Sequence, residues 1–291
     1  MRLAFLGTPE AAVPSLRALV GAGHDVALVI TRPDRKRGRG GRLTPSPVKA
    51  CAQELGLTVG HRLSDLEDIA VERGVVVAYG RLIPAELLER IPMLNVHFSL
   101  LPRWRGAAPV ERSILAGDEE TGVSIMTLDA DLDTGPVHLE ARVAIEEKSL
   151  SVLLGELATV GAKALVEVLA TPELLAHPHA QVGDATYAAK LSKEDFHLAP
   201  SDSAAQLLRV IRLGQAFVLV EGRRLLIESA SVSGGEDVAS GSMTLRNARV
   251  LLGSSNGAIV LDHVRPESSK SMSALAWWVG ARFEQNIAPW M

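Results

Sequence analysis

The chain has 291 residues, of which 47% are hydrophobic and 22% are charged, a composition that is ordinary for a globular protein. At about 100–200 residues per domain, this length predicts two domains. The single cysteine, Cys51, excludes an internal disulfide and fits a reducing compartment, so we expect a cytoplasmic protein in which Cys51 is a small buried side chain. Since no long apolar run is present, we expect neither a signal peptide nor a membrane span.

The net charge of −4 is unevenly distributed along the chain. Residues 1–49 carry nine basic and three acidic side chains, a net charge of +6. Residues 50–202 carry 12 basic and 24 acidic side chains (−12), and residues 203–291 carry nine and seven (+2). An acidic middle between two basic ends can direct a polyanionic partner to selected surfaces.

The first part of the chain alternates between predicted strands and helices. Arg2–Leu6 is an apolar strand ending at Gly7, and Thr8 is a candidate cap for a helix from Pro9 to about Gly21. The following elements are, in chain order, strand Val26–Thr31, helix Val48–Leu55, strand Val75–Tyr79, helix Pro84–Arg90, strand Met93–Phe98, helix Val110–Ala116, antiparallel strands Val123–Asp129 and Pro136–Ile145, and helix Leu150–Ala170. Strand–helix–strand units of this size predict a parallel sheet.

The pattern changes after the long helix. Asp184–Ser203 is polar and typical of a linker. From about Leu207 onward, short β-type runs alternate with turns, at Phe217–Val220, Arg224–Ser229, Ala248–Leu252 and Ile259–Val264. Asn256-Gly257 indicates a hairpin, and Ala274–Phe283 a terminal helix. This half of the chain therefore predicts a small β-barrel.

The candidate chemical centre combines one strand with one loop. Because alternate residues of a strand point to the same face, Asn95 and His97 project together, followed by Ser99. An amide and an imidazole can both donate to an oxygen that gains negative charge. Asp133, in the loop Leu132-Asp133-Thr134-Gly135, can orient a histidine and match its charge. Taken singly, each of these patterns is more often structural than catalytic.

Two further loops carry chemical information. Gly7-Thr8-Pro9-Glu10 lacks the G-x-G-x-x-G fingerprint, which argues against a dinucleotide-dependent dehydrogenase. The segment Arg32–Arg42 holds six basic side chains against one acid, Asp34, among glycines that give it mobility. Such a run is usually a solvated face, but mobile arginines can also meet phosphates.

The order and spacing of these motifs resemble those of the folate-dependent formyltransferases. The resemblance covers the N-terminal region closely and the C-terminal region weakly. It is carried by the segments Phe5-Leu6-Gly7-Thr8-Pro9, Val77-Ala78-Tyr79-Gly80, Asn95-Val96-His97, Ser99-Leu100-Leu101-Pro102, Arg105-Gly106-Ala107-Ala108-Pro109 and Leu132-Asp133-Thr134-Gly135.

The resemblance implies an enzyme that transfers the formyl group of 10-formyltetrahydrofolate to the α-amine of methionine on methionyl initiator tRNA, with no metal. It implies the catalytic residues Asn95, His97 and Asp133. The implied folate-binding residues are Ser99, Leu100, Leu101, Pro102, Val77, Ala78, Tyr79 and Gly80. The implied tRNA-binding residues are Arg32, Arg35, Lys36, Arg37, Arg39, Arg42 and Lys49.

The resemblance also implies an α/β architecture: a Rossmann-like formyltransferase domain with a parallel-type sheet, followed by an OB-like β-barrel. We expect the catalytic domain at 1–189, a linker at 190–205 and a tRNA-binding barrel at 206–291. A monomer is the default expectation. Three alternatives stay open: a formyltransferase of the same fold acting on a sugar-nucleotide or other small amine, a formyl-folate hydrolase, and a noncatalytic RNA-binding protein.

Overall fold

The computed structural model describes residues 1–37, 41–283 and 286–289. They form two compact units, which are described separately. Unit one comprises Met1–Val110, Glu120–Ala144 and Val152–Ala189. Unit two comprises Glu111–Glu119, Ile145–Ser151 and Lys190–Met291.

The strands of unit one are mostly short and apolar. They are β1 (Arg2–Gly7), β2 (Asp25–Ile30), β3 (Arg35–Arg37), β4 (Arg42–Thr44), β5 (Val59–Gly60), β6 (Arg73–Val77), β7 (Met93–His97), β8 (Arg105–Gly106), β9 (Glu120–Thr127), β10 (Val137–Ala144) and β11 (Tyr187–Ala188). The helices of the described part of the chain are α1 (Val13–Gly21), α2 (Pro47–Glu54), α3 (Ala85–Arg90), α4 (Pro109–Ala116), α5 (Leu150–Ala170), α6 (Pro172–Ala176), α7 (Ala204–Arg212) and α8 (Ala274–Ala281).

Seven strands of unit one form a mixed sheet in the order β10-β9-β7-β6-β1-β2-β5. The strands from β7 to β5 are parallel, while β9 and β10 run antiparallel to their neighbours. The predicted parallel sheet with an antiparallel pair is therefore confirmed. The chain builds outward from β1 through β2 to β5 and then returns to β6 on the other side of β1. The carboxyl ends of β1 and β6 form the switch point at which open α/β sheets bind ligands.

Helix α5 packs closely against the sheet because it carries a glycine at the contact. A Cβ placed on Gly161 would lie 2.8 Å from Cγ1 of Val96 on β7. The predicted bounds of α5 are confirmed, and so is the burial of Cys51, which raises the pKa of its thiol.

The predicted cap of the first helix was wrong, although helical backbone does begin near Pro9. A 3-10 turn at Glu10–Ala12 precedes α1, its cap position is Pro9, and Thr8 makes no capping hydrogen bond. Pro14 lies in the first turn of α1, where its missing N–H costs nothing.

Unit two contains a curled antiparallel half-barrel. Its strands are β12 (Phe217–Val220), β13 (Arg223–Val232), β14 (Met243–Arg246), β15 (Arg249–Ser254), β16 (Gly257–Pro266), β17 (Met272–Ser273) and β18 (Asn286–Ile287). They pair in the order β12-β13-β16-β15-β14-β18, with β17 beside β16. The predicted hairpin at Asn256-Gly257 joins β15 to β16.

The four predicted β-type runs are confirmed as β12, β13, β15 and β16, but the β pattern does not begin at Leu207, which lies in α7. Ser203 caps this helix by accepting a hydrogen bond from the N–H of Gln206, and Leu207, Val210 and Ile211 form its buried face. Leu198, in the segment expected to be a linker, is fully buried in the core of unit two.

Candidate active site

Strand β7 carries polar side chains on one face and an apolar side chain on the other. Val96 contacts α5 at Gly161, so Asn95 and His97 point to the opposite face. Asn95 is half-buried, whereas His97 is buried with 6% of its surface exposed. The predicted common face of Asn95 and His97 follows from this alternation.

The imidazole of His97 lies between two oxygen acceptors. Its Nε2 is 2.9 Å from the carbonyl oxygen of Trp104. Because a carbonyl can only accept, Nε2 carries a hydrogen and donates it. Nδ1 lies 3.7 Å from Oδ2 of Asp133. That distance is too long for a direct hydrogen bond but within the range of an ion pair between a carboxylate and a protonated imidazole.

Asp133 reaches this position through an unusual main-chain conformation. Its φ angle is +52°, in the left-handed region that only Gly, Asn and Asp adopt readily. Its Oδ2 accepts a 2.8 Å hydrogen bond from the N–H of Gly106 on β8. Gly106 has φ +118°, and a Cβ there would lie 2.9 Å from the carbonyl oxygen of Ala188. The glycine is therefore required for β8 to pair with β11 and present its N–H to the carboxylate.

The structure thus brings His97 and Asp133 together and places Asn95 on the same strand. The buried pair combines a donor on a rigid strand with a carboxylate held by the main chain. Such an arrangement can stabilise negative charge on a reacting oxygen and move a proton beside it.

The predicted folate-binding segments follow β6 and β7, which are adjacent parallel strands. Their carboxyl ends therefore lie at the same edge of the sheet. Ala78 and Gly80 are exposed and have φ angles of +47° and +71°. Because Gly80 has no side chain, its exposed surface at this edge is main chain.

Most side chains of these segments are committed to the protein interior. The Ser99 hydroxyl donates to the carbonyl of Arg103 at 2.6 Å, and the carbonyl of Ser99 accepts from the Ser124 hydroxyl at 2.8 Å. Val77 is buried, and Leu101 packs with Met126 and Val137. A ligand at this edge would therefore meet mainly backbone groups.

Tyr79 is also buried, at 2% exposure, in an apolar cluster of unit one. Its hydroxyl is buried without a hydrogen-bond partner among the described residues. Leu100 is half-buried and Pro102 is buried.

The predicted tRNA-binding segment contains a two-stranded antiparallel ribbon, β3 with β4. Arg35 and Lys36 are exposed on it. Arg37 and Arg42 are paired across the ribbon through their main chains. Arg39 lies outside the described residues.

Two predicted tRNA-binding residues make contacts at the base of the ribbon. Lys49 forms a 2.8 Å ion pair with Asp34. Arg32 donates a 3.2 Å hydrogen bond to the carbonyl of Gly80, at the edge predicted to bind folate. These two cations therefore support the loop and the sheet edge, and their contact with a nucleic acid stays a prediction.

Sequence reasoning missed the segment 179–188, which returns to the site after α6. The Thr186 hydroxyl accepts from the N–H of Trp104 at 2.9 Å. The side chain of Gln181 bridges Arg105 and the Asp133 loop. No motif marks this segment, because much of its contribution is main-chain pairing. Its partners, by contrast, lie in two of the motifs: Arg105 and Gly106 in one, and Asp133 and Gly135 in another.

No cluster of three or more potential metal ligands occurs among the residues that the structure describes. Within that same part of the chain, no helix combines the length and the apolar character that crossing a bilayer requires.

Comparisons with known proteins agree with this geometry. Residues 1–169 match the family model "Formyl transferase", and residues 190–282 match "Formyl transferase, C-terminal domain". A curated methionyl-tRNA formyltransferase from Jannaschia sp. (strain CCS1) is 41% identical over 305 residues, covering 99% of this chain and 98% of the relative. One from Heliobacterium modesticaldum is 39% identical, covering 97% and 98%.

A solved structure shows the same fold at low sequence identity. The N-formyltransferase from Helicobacter canadensis, in complex with folinic acid and dTDP-3-aminofucose, has a TM-score of 0.68 and 16% identity, and the match covers 89% of this chain and 98% of that one. The family models together match most of the sequence, and the curated relatives match nearly all of it. The chain belongs to the formyl transferase family.

Proposed function

We propose that this chain transfers the formyl group of 10-formyltetrahydrofolate to the α-amine of methionine on initiator tRNA, the first aminoacyl-tRNA of translation. The observation that carries the proposal is the near full-length identity of about 40% to curated methionyl-tRNA formyltransferases. The buried pairing of His97 with Asp133 beside Asn95 supports it chemically. The folate supplies the activated formyl carbon as a substrate.

In this proposal His97 acts through Nδ1. Its Nε2 is held by the Trp104 carbonyl, which fixes the ring and leaves Nδ1 facing Asp133. When Nδ1 carries a proton, it and the Asn95 amide donate to the formyl oxygen, on which negative charge develops as the amine attacks. Asp133 stabilises the charged ring and assists transfer of the amine proton, through water, to the folate nitrogen that leaves. The new carbon–nitrogen bond thus replaces the old one without an intermediate bonded to the enzyme.

Folate binding is proposed at the carboxyl ends of β6 and β7. The exposure of Ala78 and of the Gly80 main chain supports this placement, since backbone N–H and C=O groups commonly orient a heterocyclic ligand in such a cleft. Ser99–Pro102 would contribute main-chain groups.

Recognition of tRNA is proposed for the ribbon and for the C-terminal half-barrel. Arg35 and Lys36 are exposed and can neutralise phosphates. We propose a catalytic domain at 1–189, a linker at 190–205 and a tRNA-binding domain at 206–291. We further propose that the enzyme is a cytoplasmic monomer that needs no metal.

The competing acceptor is the amine of a sugar nucleotide, because the Helicobacter canadensis neighbour was solved with dTDP-3-aminofucose. The fold does not separate these acceptors, whereas the basic ribbon favours a polyanion.

The test is transfer of labelled formyl from 10-formyltetrahydrofolate to three acceptors: charged initiator tRNA, a charged elongator tRNA, and dTDP-3-aminofucose. We expect label on the initiator tRNA alone. Label on the amino sugar alone would show that the acceptor is a small amine and not tRNA. Release of free formate without transfer would indicate a hydrolase.

A further inference from the structure

The side chain of Gln181 uses its whole hydrogen-bonding capacity beside the candidate active site. Its Nε2 donates to the carbonyl oxygens of Asp133 at 2.8 Å and Gly135 at 2.9 Å. Its Oε1 accepts from Arg105, at 3.0 Å from Nε and 2.6 Å from the terminal nitrogen. A glutamine amide has two N–H donors and one oxygen with two lone pairs, so this half-buried side chain is fully satisfied.

Arg105 determines which way the Gln181 amide points. A guanidinium has only donors, so it selects the oxygen of the amide and turns the NH₂ group toward the two carbonyls. The next residue after Arg105 is Gly106, whose N–H donates to the Asp133 carboxylate. Two neighbouring residues thus support the Asp133 loop: Arg105 acts through Gln181, and Gly106 donates its N–H directly to the Asp133 carboxylate.

The Asp133 loop turns at a residue whose left-handed φ of +52° is uncommon for residues other than glycine. Aspartate can adopt this φ, but the contacts around the loop decide where its carboxylate points. Gln181 binds the carbonyl of Asp133 itself and that of Gly135. Those two bonds fix the main chain on both sides of Thr134, and with it the direction of the Asp133 side chain.

The segment that carries Gln181 is itself tied to the site at both ends. His179 pairs with Val137 on β10. Tyr187 and Ala188 pair with Arg105 and Gly106. Gln181 is therefore presented by a segment anchored on both sides of the loop that it binds.

We propose that Gln181 is a positioning residue of the formyl-transfer reaction. Its amide, oriented by Arg105, holds the Asp133 loop so that the carboxylate faces Nδ1 of His97. The inference rests on the proposed function, since it assigns Gln181 a role that acts through Asp133.

The test is a double-mutant cycle with Gln181→Met and Asp133→Asn, measuring kcat and both KM values. Methionine keeps the length of the side chain and removes its hydrogen bonds. We expect Gln181→Met alone to lower kcat about 10- to 100-fold with both KM values within about twofold. In the Asp133→Asn background, Gln181→Met should lower kcat almost no further, because the carboxylate that Gln181 positions has already been removed. Gln53→Met, at an exposed position on α2, is the matched control and should match the wild type.

A second readout does not need catalysis. In protein labelled with ¹⁵N-histidine, Gln181→Met should shift the ring resonances of His97 and leave unchanged those of His61, whose Nδ1 lies 2.9 Å from the carbonyl oxygen of Thr31. If Gln181→Met fails to fold, Gln181→Glu replaces it, since it retains the Arg105 contact and loses both donors.

Three results would overturn the inference: an equal loss of kcat in both backgrounds, a loss confined to KM, or an unchanged His97 spectrum. Absence of formyl transfer by the wild type would instead refute the proposed function, and the His97 spectrum would still decide whether Gln181 sets the geometry of the pair.

Discussion

At the scale of single residues, His97 is held through one ring nitrogen, and the proposed mechanism uses the other. The Trp104 carbonyl, in a residue with φ +63°, accepts from Nε2, while the 3.7 Å gap between Nδ1 and Asp133 leaves the second nitrogen without a direct hydrogen bond to the carboxylate. The sequence predicted that these two residues meet, because their motifs matched a family. It could not predict the Trp104 contact, which depends on a left-handed main-chain conformation at a tryptophan.

Asn95→Ala and His97→Ala should each lower kcat by roughly 10²-fold or more, because each removes a donor to the developing negative charge. Steady-state formyl transfer measures the loss, and a thermal melt within a few degrees of wild type shows that folding is intact. Asp68→Asn, at an exposed position that is not among the candidate site residues, serves as the control. Normal turnover in a folded His97→Ala protein would remove His97 from the mechanism.

His138 gives the stability of the fold a pH dependence. Its ring lies between the Thr127 hydroxyl and the Leu174 carbonyl, and burial lowers its pKa below the ordinary value of 6.5. The unfolded chain therefore takes up this proton more readily than the folded chain, so stability falls as the pH drops through about 6.5 toward the lower folded-state pKa.

Urea denaturation of wild type and His138→Gln at about pH 8 and about pH 5.5 tests this assignment. At the higher pH, the free energy of unfolding should be larger for wild type than for His138→Gln. At the lower pH, this difference between the two proteins should shrink. A difference that is the same at both values would mean that His138 does not titrate differently in the two states.

At the scale of elements, apolar runs predicted most of the sheet of unit one, because strands buried on both faces have a simple pattern. Helix α7 was missed although Leu207, Val210 and Ile211 have helical spacing, since short β-type runs follow it. The segment 179–188 was unpredictable for another reason. Its strand, β11, has two residues, and its other contacts are made by main-chain groups, the Thr186 hydroxyl and the Gln181 amide, none of which leaves a periodic signal.

The close packing of α5 on β7 predicts opposite effects of substitution at two glycines of α5. Gly161→Val should destabilise the protein by about 1–3 kcal/mol, because its side chain would overlap Val96. Gly155→Ala, where a Cβ meets nothing within 4 Å, should stabilise it by about 0.5–1 kcal/mol through helix propensity.

Chemical denaturation of the two variants beside wild type measures both effects. Formyl transfer by Gly161→Val should also fall, since Val96 lies between Asn95 and His97. Equal stability of the two variants would show that α5 does not approach β7 as closely as the structure has it.

At the scale of the whole molecule, charge is the property that separates the possible acceptors. The basic first segment, at +6, contrasts with the acidic middle at −12. The distribution was readable from the sequence. The pairing of Lys49 with Asp34 was not, because it depends on the base of the ribbon lying against α2.

Arg42→Ala should raise the KM for initiator tRNA and reduce the slope of log K against log salt by up to about 1, while folate affinity stays unchanged. Arg142→Ala, at a side chain already paired with Glu120, is the matched control and should keep the wild-type slope. A loss of folate affinity in Arg42→Ala would place the ribbon at the folate site instead.

The most direct test of the account is single-turnover formyl transfer to charged initiator tRNA by wild type and Asp133→Asn. Asparagine tolerates the left-handed conformation at this position and can still accept from Gly106, so the substitution removes the charge and little else. We expect the rate to fall roughly 10²-fold or more with the fold unchanged. A rate near that of wild type, in a folded variant, would contradict the central role of the His97–Asp133 pair.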